Sequence, residues 1–240
     1  MRTENHRLHS SMNYKNFEEL MSPERLSKYV AACSNNTRKA MVLYRYNLKL
    51  SQEMFGVISC FEVVLRNRIN KALIAHFGND WLRDFILPGG QFYYDSRVEG
   101  TKKIIKKSYD GLLAGGNYSH SKLLSKMEFG VWKFMFNNVQ YRLTSRCLLS
   151  IFPNKPCSSA QIQFNNTFVF NALNEINAMR NRIAHHEPIC FGTPLSINIH
   201  SAFSCYSIIL ELFSWMGVDY FSLLYGIDHV LSTCGKTMQL

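Results

Sequence analysis

Residues 37–76 read TRKAMVLYRYNLKLSQEMFGVISCFEVVLRNRINKALIAH, and their apolar side chains recur mostly at intervals of three and four. The recurring apolar residues are Leu43, Tyr46, Leu50, Met54, Val57, Ile58, Phe61, Val64, Leu65, Ile69 and Leu73. Such spacing places side chains on one side of an α-helix. We therefore predict one long helix here, with a wide apolar face.

Helices are also predicted on both sides of this segment. Ser22 and Pro23 supply an N-cap and a proline at the first helical position, so a helix is expected to begin there and run toward Cys33. Residues 78–120 contain several glycine, proline and asparagine clusters and are expected to form a loop-rich insertion. That insertion includes one basic helix, near residues 97–113.

The second half of the chain has the same helical spacing. The predicted segments are residues 121–137 with a continuation toward residue 152, a longer helix capped by Ser158 or Ser159 and reaching about His186, and a last stretch from about residue 195. Pro188 disfavours continuation of the longer helix, because proline restricts the residue before it. No stretch alternates strictly enough to require a β-sheet. The predicted fold is all-α, a helical bundle with additional C-terminal helices.

Length and composition favour a single domain. With 240 residues and 47% apolar content, the chain can bury one sizeable core. We expect residues 16–240 to form one helical domain, preceded by a flexible basic N-terminus at residues 1–15. That N-terminus has no apolar core of the kind found in signal peptides. The most apolar stretch, residues 205–216, is too short to span a membrane and contains Glu211.

Charge and cysteine content narrow the class of protein further. Lysine and arginine number 27 against 17 acidic residues, and the net charge of +10 favours polyanionic partners such as RNA, DNA or an anionic membrane surface. The seven cysteines are odd in number, scattered and without a C-x-x-C pair. This pattern argues against a disulfide framework or a zinc module, so we expect a soluble protein of the reducing cytoplasm.

Residues 179–189, MRNRIAHHEPI, place a charge stabiliser and a titratable imidazole about one helical turn apart. Asn181 and His185 are four residues apart and lie on one face of a helix, whereas Arg180 lies roughly 140° around the axis from His185. Asn181 can therefore orient the imidazole, and Arg180 can reach a ligand from the side.

These residue types suit metal-independent cleavage of RNA. The reaction needs a base for the ribose 2′-hydroxyl, an acid for the leaving 5′-oxygen and positive charge on the pentavalent phosphate. Histidine, with an ordinary pKa of about 6.5, can supply either proton transfer, and arginine binds phosphate oxygens as a planar fork. One His185 cannot be acid and base at once. The second role requires His186 or a symmetric dimer that brings two motif helices together.

Two other interpretations of the motif remain open. Histidines and arginines in the last turn of a helix interact favourably with the negative end of its dipole, without any catalytic role. A zinc site is a weaker alternative, because neighbouring histidines point apart and Pro188 interrupts the helix. Its ligands would be His185, His186, Glu187 and Cys190.

The motif and several separated words resemble one known family. Residues 180–185 match the R-N-x-x-x-H motif of the HEPN superfamily, and His186 follows it. The words that resemble its Abi-like, abortive-infection branch are Tyr44-Arg45-Tyr46-Asn47 with Leu50-Ser51, Glu62-Val63-Val64-Leu65-Arg66-Asn67, His76-Phe77-Gly78-Asn79-Asp80-Trp81-Leu82 and Met127-Glu128-Phe129-Gly130-Val131-Trp132. Together they extend over about residues 22–189, in the order found in that branch.

The resemblance implies an all-α HEPN bundle that forms a homodimer around the motif helix, with a composite active site. It implies a cytoplasmic, metal-independent endoribonuclease toxin of bacterial anti-phage defence, with Arg180, Asn181 and His185 as catalytic residues. RNA is then the substrate, an antitoxin made of protein or RNA is a further partner, and neither a cofactor nor a membrane is involved. HEPN toxins paired with nucleotidyltransferase antitoxins usually carry tyrosine two positions after the histidine. Glu187 stands there in this chain, which argues against that pairing.

A second group of polar residues lies on the long predicted helix. The resemblance implies that Glu62, Arg66 and Asn67 support the catalytic residues, together with His186 beside them. The alternative is an internal salt bridge between Glu62 and Arg66, which are four residues apart. Residues 66–69 repeat residues 180–183 letter for letter, but Lys71 stands where the later copy has His185. We therefore assign catalysis to the later helix and support to the earlier one.

A basic stripe is the candidate RNA-binding surface. Lys102, Lys103, Lys106 and Lys107 fall on one side of the basic helix, with tyrosines nearby, and Arg182 beside the motif is counted with them. Lysines and aromatic rings together can bind RNA phosphates and stack on bases. The alternative is an ordinary solvated helix face.

Two functions follow from these patterns. The first is an RNA-cleaving enzyme, and the second is a non-catalytic module that binds RNA or protein in a defence system. A small-molecule enzyme is not supported, because the chain has no glycine-rich phosphate loop, no paired catalytic carboxylates and no nucleophile elbow.

Overall fold

The computed structural model describes residues 12–240 and confirms the all-α class, since its only β feature is an isolated bridge between Phe191 and Ile197. The helices are α1 (Tyr14–Met21), α2 (Pro23–Ala32), α3 (Thr37–Phe77), α4 (Trp81–Asp84), α5 (Glu99–Ala114), α6 (His120–Ser125), α7 (Phe129–Phe134), α8 (Asn138–Leu143), α9 (Asn166–Ala184), α10 (His200–Trp215), α11 (Tyr220–Leu223) and α12 (Val230–Met238). Short 3₁₀ turns occupy Ser96–Val98 and Cys147–Ile151. Of the predicted flexible N-terminus, residues 1–11 lie outside the described residues, and Tyr14 and Lys15 belong to α1.

Helix α3 is the predicted long helix and the axis of the fold. It has 41 residues, which corresponds to about 60 Å. The Asn36 side chain caps it by accepting from the backbone N–H of Lys39, and Gly78 ends it with a φ of 87°. Its apolar face is buried against α1, α2, α7, α9, α10 and α12. A single amphipathic helix therefore organises most of the molecule around itself.

Two hydrophobic clusters are built on α3. The larger one surrounds its second half and includes Phe61, Trp132 and Phe213, each fully buried. The smaller one joins α1, α2 and the first half of α3, and it also takes in Cys190 from the chain after α9. The segment that follows the predicted motif is therefore packed into a hydrophobic core.

Asn70 fastens the insertion after α3 to that helix. Its Oδ1 accepts a hydrogen bond of 2.8 Å from Trp81 Nε1 at the start of α4. It also lies 2.8 Å from Nε2 of His120 at the start of α6. Because the indole only donates, Oδ1 is the acceptor for both, and His120 donates through Nε2. This contact fixes the position of α6 beside α3.

Several predicted boundaries were wrong. The helix expected from Ser158 begins at Asn166, because Asn165 is the residue that caps it. The hydroxyls of Ser158 and Ser159 instead accept from backbone N–H groups of Phe164 and Ile162, which keeps that segment non-helical.

The other differences concern helix continuity. The helix expected over residues 121–137 is divided into α6 and α7, and the last helical stretch begins at His200 and not near residue 195. The predicted basic helix is confirmed as α5, with Gly115 at its end. No helix in the described part of the chain is both long and apolar enough to cross a membrane.

Candidate functional site

Helix α9 carries the motif at its C-terminal end. Its buried residues are Val169, Ala172, Leu173, Ile176 and Met179, spaced by three and four. This stripe packs against α3, α7 and α10. The next turn leaves the core, so Arg180 is half-buried and Asn181 is exposed. The core thus places the first two motif residues at its boundary with solvent.

The helix ends within the motif, two residues earlier than predicted. His185 is the C-cap, and its backbone N–H donates to the carbonyl of Asn181 at 2.9 Å. The N–H groups of His186 and Glu187 then donate back to Ile183 at 3.0 Å and Arg182 at 2.8 Å. This pair of bonds is a Schellman motif, which terminates the helix and satisfies its last carbonyls.

His186 occupies the left-handed position of that motif, with a φ of 56°. Glycine is the usual residue there, because a side chain in this conformation costs about 1–2 kcal/mol. Both His185 and His186 are exposed. The turn therefore presents two imidazoles to solvent beside each other, one of them at an energetic cost to the fold.

The segment after the motif is tied to α2 and α3. Arg25 donates from Nη1 to the carbonyl of His186 at 3.2 Å. The backbone N–H of Ile189 donates to Oδ1 of the buried Asn47 at 2.8 Å. These two contacts come from parts of the chain more than 140 residues away, and they hold the motif turn in one place.

Arg182 takes part in the same turn. Its Nη2 donates to the carbonyl of Pro188, and its Nε lies 3.7 Å from a Glu187 carboxylate oxygen. The side chain is half-buried. Arg182 was predicted to bind RNA, but in the structure its guanidinium is engaged in closing the chain after the helix.

Glu62 is the residue of α3 that interacts electrostatically with Arg180 of the motif. Its carboxylate is half-buried, and burial raises its pKa, while the positive charges of Arg180 and Arg66 lower it. In the described residues Glu62 makes no ion pair within 4.0 Å, so the alternative salt bridge to Arg66 is not formed. Instead Arg66 Nε donates to Asn67 Oδ1 at 3.4 Å, and Asn67 is exposed. Glu62 and Arg66 thus lie within electrostatic reach of one another and Glu62 within reach of Arg180, whereas Asn67 contacts Arg66 alone.

The catalytic trio itself is not linked by side chains. We find no side-chain hydrogen bond for Arg180, Asn181 or His185 among the described residues. The four-residue spacing of Asn181 and His185 produces a backbone contact in the structure, and the amide does not orient the imidazole. Any partner of these three side chains therefore lies outside the described residues, where a ligand or a second chain could supply it.

The predicted lysine stripe is divided by its salt bridges. Lys102 lies 2.6 Å from Glu99 and donates to the carbonyl of Tyr93 at 3.1 Å. Lys103 lies 3.9 Å from Glu99, and Lys106 lies 3.0 Å from Asp110. Lys107 alone of the four has no carboxylate within 4.0 Å in the part of the chain that the structure describes. It lies with Lys126 and Glu128 along a groove between α5 and the turn that joins α6 to α7.

The zinc alternative does not match the arrangement of its proposed ligands. Cys190 is fully buried, and burial raises the pKa of its thiol to about 12, whereas His185 and His186 are exposed. Within residues 12–240 no three side chains of histidine, cysteine, aspartate or glutamate are placed to hold a metal ion together.

The sequence analysis did not identify Arg25, Asn47 and Lys126 as residues of the site. Asn47 and Arg25 act on the motif from α3 and α2, and Lys126 lies on the turn after α6. No sequence spacing relates them to residues 180–186, because they are brought there by packing between elements. The polar Asn47 on the apolar face of α3 was the only local signal.

Comparison with known proteins identifies the family. No curated protein and no solved structure matches the chain. A family model described as Abi-like protein matches residues 7–190, which include α3, the whole of α9 and the motif turn. Because this match covers more than half of the sequence, the chain belongs to the Abi-like protein family.

Proposed function

We propose that this protein is a metal-independent endoribonuclease of the HEPN type, acting in bacterial abortive infection. Membership of the Abi-like family indicates a role in abortive infection or defence. The observation that supports the enzymatic proposal is the motif turn. It presents His185 to solvent at the end of a rigidly packed helix, with the half-buried Arg180 one turn before it.

In the proposed reaction the imidazole of one His185 takes the proton of a ribose 2′-hydroxyl. The 2′-oxygen attacks the adjacent phosphorus, and the 5′-oxygen leaves with a proton from a second, protonated imidazole. Arg180 neutralises the charge on the pentavalent phosphate, and the Glu62 carboxylate lies within electrostatic reach of its guanidinium. The products are a 2′,3′-cyclic phosphate and a 5′-hydroxyl, with no net change in protons.

The second imidazole is proposed to come from a second copy of the chain. His185 and His186 of one protomer are adjacent, but His185 is the helix C-cap and His186 has a left-handed backbone conformation, so the two imidazoles are not equivalent. A two-fold dimer in which two α9 ends meet would place one His185 on each side of the phosphate. We further propose that the protein acts in the cytoplasm and is restrained by an antitoxin of protein or RNA.

The direct test is cleavage of RNA in EDTA by purified wild-type protein and by His185→Ala. We expect wild type to leave 2′,3′-cyclic phosphate ends and the variant to lose at least about 100-fold in rate, as expected when an acid/base group is removed. Circular dichroism controls for folding, because the exposed His185 side chain makes no contact that the fold needs. Undiminished cleavage by the variant would refute the assignment. RNA binding without turnover by wild type would favour the non-catalytic module.

A further inference from the structure

A groove that contains two lysines lies between α5 and the turn that joins α6 to α7. It encloses about 490 Å³ and is open to solvent. Its lining residues are Ile104, Lys107, Ser108, Gly111, Lys126 and Glu128. The first four of these recur at three and four residues and form one face of α5, and the last two belong to the turn between α6 and α7.

The two lysines of the groove have free charges, unlike the rest of the α5 stripe. Lys107 and Lys126 are both exposed, and neither has a carboxylate within 4.0 Å among the described residues. Lys102 and Lys106 lie on the opposite face of α5, where Glu99 and Asp110 neutralise them. A polyanion would therefore gain most by binding along the groove.

The groove is connected to the motif through Glu128 and Glu62. Glu128 stands at the start of α7, which packs directly on α9. Its negative charge acts on the Glu62 carboxylate, and the positive charge of Arg180 acts on the same carboxylate in the opposite sense. Glu62 thus interacts electrostatically both with a residue of the groove and with the motif arginine.

The remaining lining residues suit a single nucleic acid strand. Ile104 is an aliphatic side chain that is 47% exposed, so it offers an apolar surface to a base. Ser108 and Glu128 can accept hydrogen bonds from ribose 2′-hydroxyls, which distinguish RNA from DNA. Gly111 leaves the groove open, because no atom outside the local helix backbone lies within 4 Å of where a Cβ would stand.

We propose that this groove binds the single-stranded RNA next to the cleaved phosphate, with Lys107 and Lys126 on its phosphates. The proposal rests on the proposed RNA cleavage and extends it to substrate binding. The proposed RNA-binding lysines are two residues from different elements, in place of the four-lysine stripe on α5. Lys126 belongs neither to the motif nor to its supporting residues.

The first test compares two double variants of equal charge in a His185→Ala background, so that binding is measured without cleavage. Lys107→Ala/Lys126→Ala removes the groove lysines, and Lys106→Ala/Lys122→Ala removes one lysine from each of the same two regions outside the groove. Fluorescence anisotropy with a labelled single-stranded RNA should show on the order of tenfold weaker binding for the first pair only. The slope of log affinity against log salt should fall in magnitude by about 1.4, as expected for two lost phosphate contacts.

The second test fills the groove without changing charge. Gly111→Leu places a side chain in the groove, and Gly235→Leu places the same side chain on the exposed surface of α12, away from the groove and also with no atom within 4 Å. Both changes favour the helix by up to about 1 kcal/mol, because glycine is a poor helix former, so loss of folding is not expected. We expect several-fold weaker RNA binding for Gly111→Leu and unchanged RNA binding for Gly235→Leu.

Equal losses for the two double variants, or unaltered binding by Gly111→Leu, would overturn the groove proposal while leaving the cleavage assay of wild type unaffected. Conversely, absence of cleavage by wild type would count against the proposed enzyme, yet the binding comparison would still decide whether RNA lies in this groove.

Discussion

Residues 66–69 and residues 180–183 have the same sequence, Arg-Asn-Arg-Ile, but different surroundings. The first copy lies within α3, where the helix continues for two more turns. The second copy forms the last turn of α9, followed by the His185 cap and the left-handed His186. Identical residues thus become a stretch of regular helix in one place and a helix end with two exposed imidazoles in the other.

The comparison shows that the position of the helix end determines what these arginines do. Arg182 reaches the carbonyl of Pro188 because the chain turns back beside it. Arg68, its counterpart, has no hydrogen bond or ion pair within residues 12–240. Arg180 on α9 and Arg66 on α3 both act electrostatically on Glu62. The two copies therefore affect the same carboxylate.

The largest expected difference between the copies is in catalysis. Arg180→Ala should lower kcat for RNA cleavage on the order of 10²–10³-fold, because it removes the charge that stabilises the pentavalent phosphate. Arg66→Ala should lower it by less than about tenfold, because Arg66 acts only on the surroundings of Glu62. Single-turnover cleavage in EDTA measures both. Equal losses would mean that the first copy takes part in the reaction directly.

The next difference is in stability. Arg182→Met should lower the free energy of unfolding by about 1–2 kcal/mol, since it removes a charged hydrogen bond to the carbonyl of Pro188. Arg68→Met should change it by less than about 0.5 kcal/mol, because no comparable bond is lost. Urea denaturation followed by circular dichroism provides both values. A similar loss for the two variants would show that closing the turn contributes nothing beyond the packing of an arginine stem.

Most of the helical architecture was predictable, because it depends on local periodicity. The buried residues of α3 recur at three and four, Asn36 is a residue type that caps the start of a helix, and Gly78 is one that ends it. The start of α9 was not predictable in the same way. Ser158, Ser159 and Asn165 are all competent N-caps by type, and their sequence does not show that Phe164 and Phe168, beside Asn165, pack on the distant Trp215.

The residues of the candidate site also differ in whether local sequence or packing between elements determines their position. The motif residues 180–186 were proposed from their residue types and from the resemblance to the HEPN motif, and Glu62 from its place in a family word. The groove was not found, because Lys107 and Lys126 lie on different elements and no periodicity relates them. Lys102 and Lys106 of the predicted stripe form salt bridges with Glu99 and Asp110, which a lysine count on one helix face does not include.

Substitution of His186, which has a left-handed backbone conformation, separates the effects on stability and on cleavage within the second copy. His186→Gly should raise the free energy of unfolding by about 1 kcal/mol, because glycine adopts a φ of 56° without steric cost. Thermal denaturation would show this as a higher Tm. If His186 assists cleavage, the stabilised variant should cleave RNA more slowly than wild type. A variant that is more stable and fully active would remove His186 from the supporting residues and leave a second His185 as the sole source of the other imidazole.

The smallest expected effect is that of Glu62, whose carboxylate is affected by the first arginine of each copy. Burial raises the pKa of Glu62 above 4.5 in the folded protein, so its protonated form is favoured by folding. Its contribution to stability is therefore fully present below the unfolded pKa and is lost as the pH rises through the folded value. Glu62→Gln, which mimics the protonated form, should accordingly be more stable than wild type at pH 8 and equal to it near pH 4. Urea denaturation at the two pH values tests this, with Glu19→Gln as the exposed control. A destabilised Glu62→Gln at pH 8 would instead show that the attraction of Arg180 and Arg66 outweighs burial, and that the two copies are held together by charge at this carboxylate.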